Sequence, residues 1–151
     1  IHTCFEDATM IAADLMTPDP MTVSETTSLL AVQEQMEIAR VRHMPVVRGT
    51  QLIGLVTHRD VLAASLSRLV DVDTNTKREI LRSIPVSEVM VRDLVTVEPT
   101  SSLEWAVNEL LDRKIDCLPV IESDGTLVGI LTASDFLKLT RSLLEVSRKS
   151  A

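Results

Sequence analysis

Apolar positions along this chain follow two rhythms, and the sequence of rhythms occurs twice. Leu29, Val32, Met36 and Ala39 recur at helical spacing and share one face; Leu103, Ala106, Val107, Leu110 and Leu111 do the same further on. Ahead of each helix the pattern predicts a short extended piece, at residues 21–23 and 94–97. Ahead of that it predicts a short helical lead-in, at 11–16 and 86–90, ending in Met16 and Met90. After each helix come two short strand patterns, 44–48 with 52–56 and 118–122 with 127–131. Pro45 and Pro119 open the first strand of each pair, a position that tolerates a residue without an N–H donor. A second helix follows, lined by Val61, Leu62, Leu66 and Leu69 in one copy and by Phe136, Leu137, Thr140, Leu143 and Leu144 in the other. The predicted order is strand-helix-strand-strand-helix, twice, an α+β (mixed α/β) arrangement. Between the copies, residues 71–84 are polar and then predict a short helix over 77–82. Ser101 and Glu104 have the spacing of a capping box for the second copy's first helix; the matching Thr27 and Leu30 do not.

The duplication holds residue by residue. Met16 and Met90, Thr22 and Thr96, Val23 and Val97, Ser28 and Ser102, Leu29 and Leu103, and Pro45 and Pro119 are each 74 positions apart. Gly54 and Gly129, Thr57 and Thr132, and Asp60 and Asp135 are 75 apart. The extra residue falls in the run Glu122-Ser123-Asp124-Gly125-Thr126, which has turn chemistry and absorbs insertions easily. The organisation expected is an N-terminal segment over 1–12, a first repeat over 13–70, a linker over 71–85, a second repeat over 86–147 and a tail over 148–151. A unit of about 60 residues is marginal alone, so two such units are expected to pack together and share a crevice.

Composition narrows the function. The chain has 151 residues and a formal net charge of −7. That balance argues against nucleic acid, whose capture rests on Lys and Arg neutralising phosphates. Phe5, Trp105 and Phe136 are the only aromatics, too few for a base-stacking platform, and Trp105 reads as core or partial core. Cys4 and Cys117 make neither a disulfide framework nor a zinc site, and Cys117 reads as a buried thiol. His2, His43 and His58 lack metal-ligand spacing, so no metal is expected. No apolar run approaches the roughly 20 residues that span a bilayer. A cytoplasmic protein with no membrane insertion is expected. The chain begins at Ile1 rather than Met and reads as trimmed or excerpted.

Each copy carries Gly-x-x-Thr-x-x-Asp at the end of its last strand: Gly54, Thr57 and Asp60, then Gly129, Thr132 and Asp135. Thr-x-x-Asp before an apolar run is a helix capping box. Three features point further. A glycine inside a strand often marks the close approach of a ligand or of another backbone. The strand runs into a helix N-terminus, whose free N–H groups suit an anion. The Asp accepts hydrogen bonds only and could take two from a vicinal diol such as a ribose. Together these describe a nucleotide pocket, twice.

The runs Asp14-Leu15-Met16-Thr17, Met44-Pro45-Val46-Val47 and Gly54-Leu55-Val56-Thr57-His58-Arg59-Asp60 resemble a CBS domain. So do Val89-Met90, Leu118-Pro119-Val120-Ile121 and Gly129-Ile130-Leu131-Thr132-Ala133-Ser134-Asp135. Two copies in tandem, covering roughly residues 13–145, resemble a Bateman module. The resemblance implies repeats packed through their sheets by pseudo-twofold symmetry, with clefts that bind AMP, ADP or ATP. It implies one cleft built from Thr132, Ser134 and Asp135 with Val41, Arg42, His43 and Met44, and with Thr17 or Thr22 near the adenine. It implies a second built from Thr57, His58, Arg59 and Asp60 with Ile115, Asp116, Cys117 and Leu118. The first is favoured for a phosphorylated ligand, because Arg42 and His43 stand where Asp116 and Cys117 stand in the other copy.

Catalysis is not expected. There is no nucleophile in a recognisable motif, no Gly-x-x-x-x-Gly-Lys-Thr loop, and only four glycines in all. The reading is a non-catalytic regulatory module and energy sensor, with no cofactor required, acting on an unidentified partner protein. Its alternatives are a regulatory fragment of a larger enzyme, channel or transporter, and a structural dimerisation module with empty clefts. Exposed apolar faces on the second helices predict a homodimer.

Overall fold

The computed structural model describes residues 9–68 and 71–151. Leu69, assigned above to a helix face, lies outside the described residues, as do Cys4, Phe5 and His2. The elements are α1 (Ala12–Leu15), β1 (Thr17–Pro18), β2 (Val23–Ser24), α2 (Leu29–Ala39), β3 (His43–Arg48), β4 (Gln51–Thr57), α3 (His58–Arg68), α4 (Thr74–Ser83), a 3-10 turn (Val86–Glu88), α5 (Leu103–Arg113), β5 (Cys117–Ile121), β6 (Leu127–Thr132) and α6 (Ala133–Lys149). The strand-helix-strand-strand-helix order is present in both repeats, except that the extended piece at 94–97 shrinks to one parallel bridge, Val97 to Val120.

The chain forms two compact units, and their membership crosses the repeats. Of the described residues, one holds 20–68, 71–94 and 125–127; the other holds 9–19, 95–124 and 128–151. In the first unit β2, β3 and β4 lie side by side, β2 parallel to β3 and β3 antiparallel to β4. The sheet gains an edge from the second repeat's lead-in, where Leu55 and Val91 exchange N–H···O bonds of 2.9 and 2.8 Å. In the other unit the order is β1, β6, β5. There β1, from the lead-in to the first repeat, runs antiparallel to β6 with Thr17 opposite Ile130. Each lead-in therefore completes the sheet of the other repeat.

Each unit has its own core, for reasons readable in the periodicity. In the first, Leu29, Val32 and Met36 of α2 are buried with Met44, Val46, Val56 and Val61. In the other, Leu103, Ala106 and Leu110 of α5 are buried with Leu118, Val120 and Leu131. The helices start alike: Ser28 Oγ accepts from Ala31 N–H, and Ser102 Oγ from Trp105 N–H. Ser102, not Ser101, is thus the cap of α5, and Ser101 Oγ instead accepts from Glu98 N–H in the preceding turn. They also end alike, with Arg40 and Lys114 in the left-handed region at φ 54°. Leu111 does not join the buried face; it is 69% exposed. Trp105 is 44% exposed and stands outside the core cluster. The helix expected over 77–82 is longer, α4, capped by Asp73 through Thr76 N–H at 2.9 Å.

Candidate functional site

Both signature Thr–Asp pairs form at the junction of a strand and a helix. At the β4–α3 junction, Asp60 Oδ2 accepts from Thr57 N–H and Thr57 Oγ1, both at 2.8 Å, and Thr57 Oγ1 accepts from Asp60 N–H at 3.2 Å. At the β6–α6 junction, Asp135 Oδ2 accepts from Thr132 N–H at 2.8 Å and from Thr132 Oγ1 at 3.2 Å, and the box closes reciprocally. In both, the carboxylate uses one oxygen for the cap; Oδ1 makes no hydrogen bond within the described residues. Asp135 is the more buried of the two at 6% exposed, and no buried side-chain oxygen or nitrogen among the described residues lacks a partner. Its Oδ1 therefore reaches the surface.

The helix starts are less open to an anion than the sequence predicts. His58 N–H donates to the Arg42 carbonyl at 2.8 Å, and Ala133 N–H to the Asp116 carbonyl at 3.0 Å. With Asp60 N–H also taken, several of the donors that a helix N-terminus normally leaves unpaired are already satisfied. The glycines also have a local cause. A Cβ on Gly54 would lie 2.6 Å from Met90 Sδ and 3.2 Å from the Val91 carbonyl. A Cβ on Gly129 would overlap Met16 Sδ and lie 3.1 Å from the Thr17 carbonyl. The close approach marked by each glycine is that of the other repeat's lead-in. The sequence carried the signal for this, since Met and Gly recur together in both copies, but the pairing crosses the repeats.

The named site residues divide between the units. With Thr57, His58, Arg59 and Asp60 belong Thr22, Val41, Arg42, His43 and Met44. His43 opens β3 opposite Thr57, Arg42 is exposed, and Met44 is fully buried in the core. With Thr132, Ser134 and Asp135 belong Thr17, Ile115, Asp116, Cys117 and Leu118. Ser134, Asp116 and Thr17 are exposed; Leu118 is fully buried, the counterpart of Met44. Met44 and Leu118 supply position rather than a surface. Cys117 is a free, buried thiol. Burial pushes its pKa well above the usual thiol range, and the Asp135 and Asp116 carboxylates push it further. No helix among the described residues is long and apolar enough to cross a membrane.

Chemically, this arrangement offers hydroxyl, carboxylate and backbone groups suited to a polar, diol-bearing ligand. Several known proteins are similar to this chain. A solved structure of CBSX2 in complex with AMP is 28% identical, with a TM-score of 0.72, over 91% of this chain and 98% of that one. A Vibrio cholerae protein described as an acetoin utilization protein, AcuB, is 34% identical with a TM-score of 0.78, over 94% of this chain and 98% of its own. Inosine-5'-monophosphate dehydrogenase of Thermoplasma acidophilum is 30% identical over 119 residues, which is 79% of this chain but only 21% of that enzyme. The sequence profile of the CBS domain matches residues 12–67 and 86–142. With two matched copies, the lead-ins, the paired sheets and the Thr–Asp junctions accounted for, the chain belongs to the CBS domain family as a tandem pair.

Proposed function

We propose that this CBS pair is a non-catalytic regulatory module that binds an adenosine nucleotide, AMP, ADP or ATP, and passes its occupancy to a partner protein or domain. The observation that carries the reading is the half-used carboxylate. Asp60 and Asp135 each cap a helix through Oδ2, and Oδ1 stays available to accept from a ribose hydroxyl. The AMP complex of CBSX2 supports the choice of adenosine. Thr132, Ser134 and Asp135 would hold one ribose and Thr57, Arg59 and Asp60 another, and Arg42 and His43 would supply positive charge to a phosphate. A second reading is favoured by coverage: the chain spans 21% of the dehydrogenase it matches, as a regulatory part of a larger enzyme would. Homodimer formation through exposed Leu66 of α3 and Leu143 and Leu144 of α6 belongs to the same proposal, and light scattering that gives a monomer mass at micromolar concentration would refute it.

The test starts with thermal shift across AMP, ADP, ATP, NAD and S-adenosylmethionine. A ligand at 100 times its Kd adds about 2.7 kcal/mol to stability. No shift with any of them leaves the dimerisation module as the answer. Asp135→Asn then separates cap from ligand, because the amide oxygen still accepts from Thr132 N–H while an N–H₂ replaces Oδ1. Calorimetry should show AMP binding weakened by about 1.5–3 kcal/mol, the range for a hydrogen bond to a charged group, with Tm little changed. Unchanged affinity would reduce Asp135 to a cap. Replacing Arg42 and His43 with Ala should weaken AMP far more than adenosine and flatten the salt dependence of AMP binding. Equal losses for the two ligands would remove both residues from the phosphate.

A further inference from the structure

The six methionines stand in different surroundings. Met10 and Met21 are exposed, Met36, Met44 and Met90 are buried, and Met16 is half-buried. Met16 and Met90 hold matching places. Each lies over the α-carbon of a signature glycine, so close that a Cβ there would overlap its sulfur. The notch beside each sulfur presents an acceptor: the Thr17 carbonyl next to Gly129, and the Val91 carbonyl next to Gly54. A thioether suits such a place, being polarizable and apolar with little hydrogen-bond demand. Met90 is sealed in, while Met16 is part-exposed at the junction between α1 and β1.

The strand that Met16 seats is weakly held. β1 has two residues, and Pro18 has no N–H to give the ladder. The next donor, Asp19 N–H, reaches the Val128 carbonyl only at 3.3 Å, and Asp19 stands at φ 45°, an uncommon conformation for a residue with a Cβ. Upstream the chain is fastened separately, Ala12 N–H to the Ser101 carbonyl at 2.8 Å and Ala13 N–H to the Pro99 carbonyl at 2.9 Å. A change at Met16 therefore acts on residues 16–19. We propose that Met16 is a site of reversible oxidation by hydroperoxides, and that its sulfoxide releases β1 from β6. An Sδ lone pair takes the terminal peroxide oxygen. The O–O bond breaks, an S–O bond forms, and the hydroxyl proton passes to the departing oxygen, leaving an alcohol or water. Sulfur is oxidised and the peroxide reduced by the same electron pair. The new oxygen is an acceptor in a notch that already presents an acceptor, so the sulfoxide leaves Gly129 for water and β1 leaves with it.

The reading does not depend on nucleotide binding, and its test needs no ligand. The full chain is treated with graded hydrogen peroxide, oxidation is located by peptide mass spectrometry, and amide exchange is followed over 17–19 and 128–130. Met10 and Met21 should oxidise first without changing exchange, and Met16 next, ahead of Met36, Met44 and Met90. Exchange at 17–19 should then quicken in step with Met16 sulfoxide. The Tm should fall by about 2–4 °C, the shift that a modest local loss makes in a chain of this length. Methionine sulfoxide reductases, one for each epimer, should reverse both effects. Met16→Leu fills the notch without sulfur and should hold its Tm and exchange at the same peroxide dose. Met16 oxidising no sooner than Met36 and Met44 would overturn the proposal. So would Met16 sulfoxide with unchanged exchange at 17–19, or a Met16→Leu chain that loses as much Tm as the parent. Should Met16→Leu fail to fold, a chain carrying Met10→Leu and Met21→Leu decides, because Met16 is then its one methionine outside the buried set. There, reductases that restore exchange and Tm support the proposal, and losses that persist after Met16 is reduced overturn it.

Discussion

At the start of α3 the residues leading out of α2 are Arg42 and His43; at the start of α6 the matching residues are Asp116 and Cys117. The backbone ignores this exchange of charge. Arg42 and Asp116 both give their carbonyl to the first helical N–H, and both Thr–Asp boxes close through Oδ2. The side chains do not ignore it. Two carboxylates bear on a buried thiol at one junction, and a cation and an imidazole stand at the other. The duplication has preserved what builds the junction and released what a ligand would meet. The two junctions differ in their side chains, in these four and in His58 and Arg59 against Ala133 and Ser134, while the hydrogen bonds that build them are shared.

The comparison is most strongly probed in the cores. Met44 and Leu118 are counterparts, each fully buried, so Met44→Ala and Leu118→Ala should each cost about 2–5 kcal/mol in urea unfolding. Losses that differ by more than this range would mean the junctions are not supported equally. A smaller effect tests the glycines. In Gly54→Ala and Gly129→Ala a sulfur tip can swing aside, but the Val91 and Thr17 carbonyls at 3.2 and 3.1 Å must give way within a paired strand. A cost of about 1–3 kcal/mol is expected for each. A neutral result would return these glycines to a ligand role.

The smallest effect isolates the acidic junction. The folded chain holds the Cys117 proton well above the pH at which the unfolded chain releases it, about 8.5. Below that pH the thiol is neutral in both states and adds no pH dependence. Above it the unfolded state is favoured, and stability should fall by up to about 1.4 kcal/mol per pH unit. The chain has no tyrosine, so Cys4 is the other side chain that titrates between that pH and the lysine range near about pH 10, and it is present in both chains of the comparison. Cys117→Ala should remove that slope in urea midpoints measured across the window. A slope unchanged by the substitution would mean the thiol is not held as the burial and the two carboxylates require.

Helical period and strand-opening prolines made α2, α5 and both β-pairs legible, because burial of one face imposes a pattern on the sequence. The cap of α5 was misplaced by one residue. Ser101 and Ser102 are both plausible caps by composition, and only the backbone decides which oxygen reaches Trp105 N–H. Leu111 fits the helical stripe but falls at its edge, where a small rotation separates core from surface. The Thr–Asp pairs were legible as boxes, whereas the purpose of the glycines was not. A two-residue strand such as β1 has too few side chains to specify its partner, so nothing in residues 16–18 names β6.

The crossed lead-ins have a consequence for the order in which the chain can assemble. Emerging from the ribosome N-terminus first, β1 has no sheet to join until β6 has been made, since Thr17 must wait for Ile130. The unit built on residues 20–94 lacks only 125–127 by the time Leu94 is out, so it can condense early from nearby parts. The other unit draws on both ends of the chain and closes last, with the long loop-closure entropy that slows non-local pairing. The same topology means that a first repeat excised at 13–70 would carry a strand without its partner and lack the one that belongs to its own sheet.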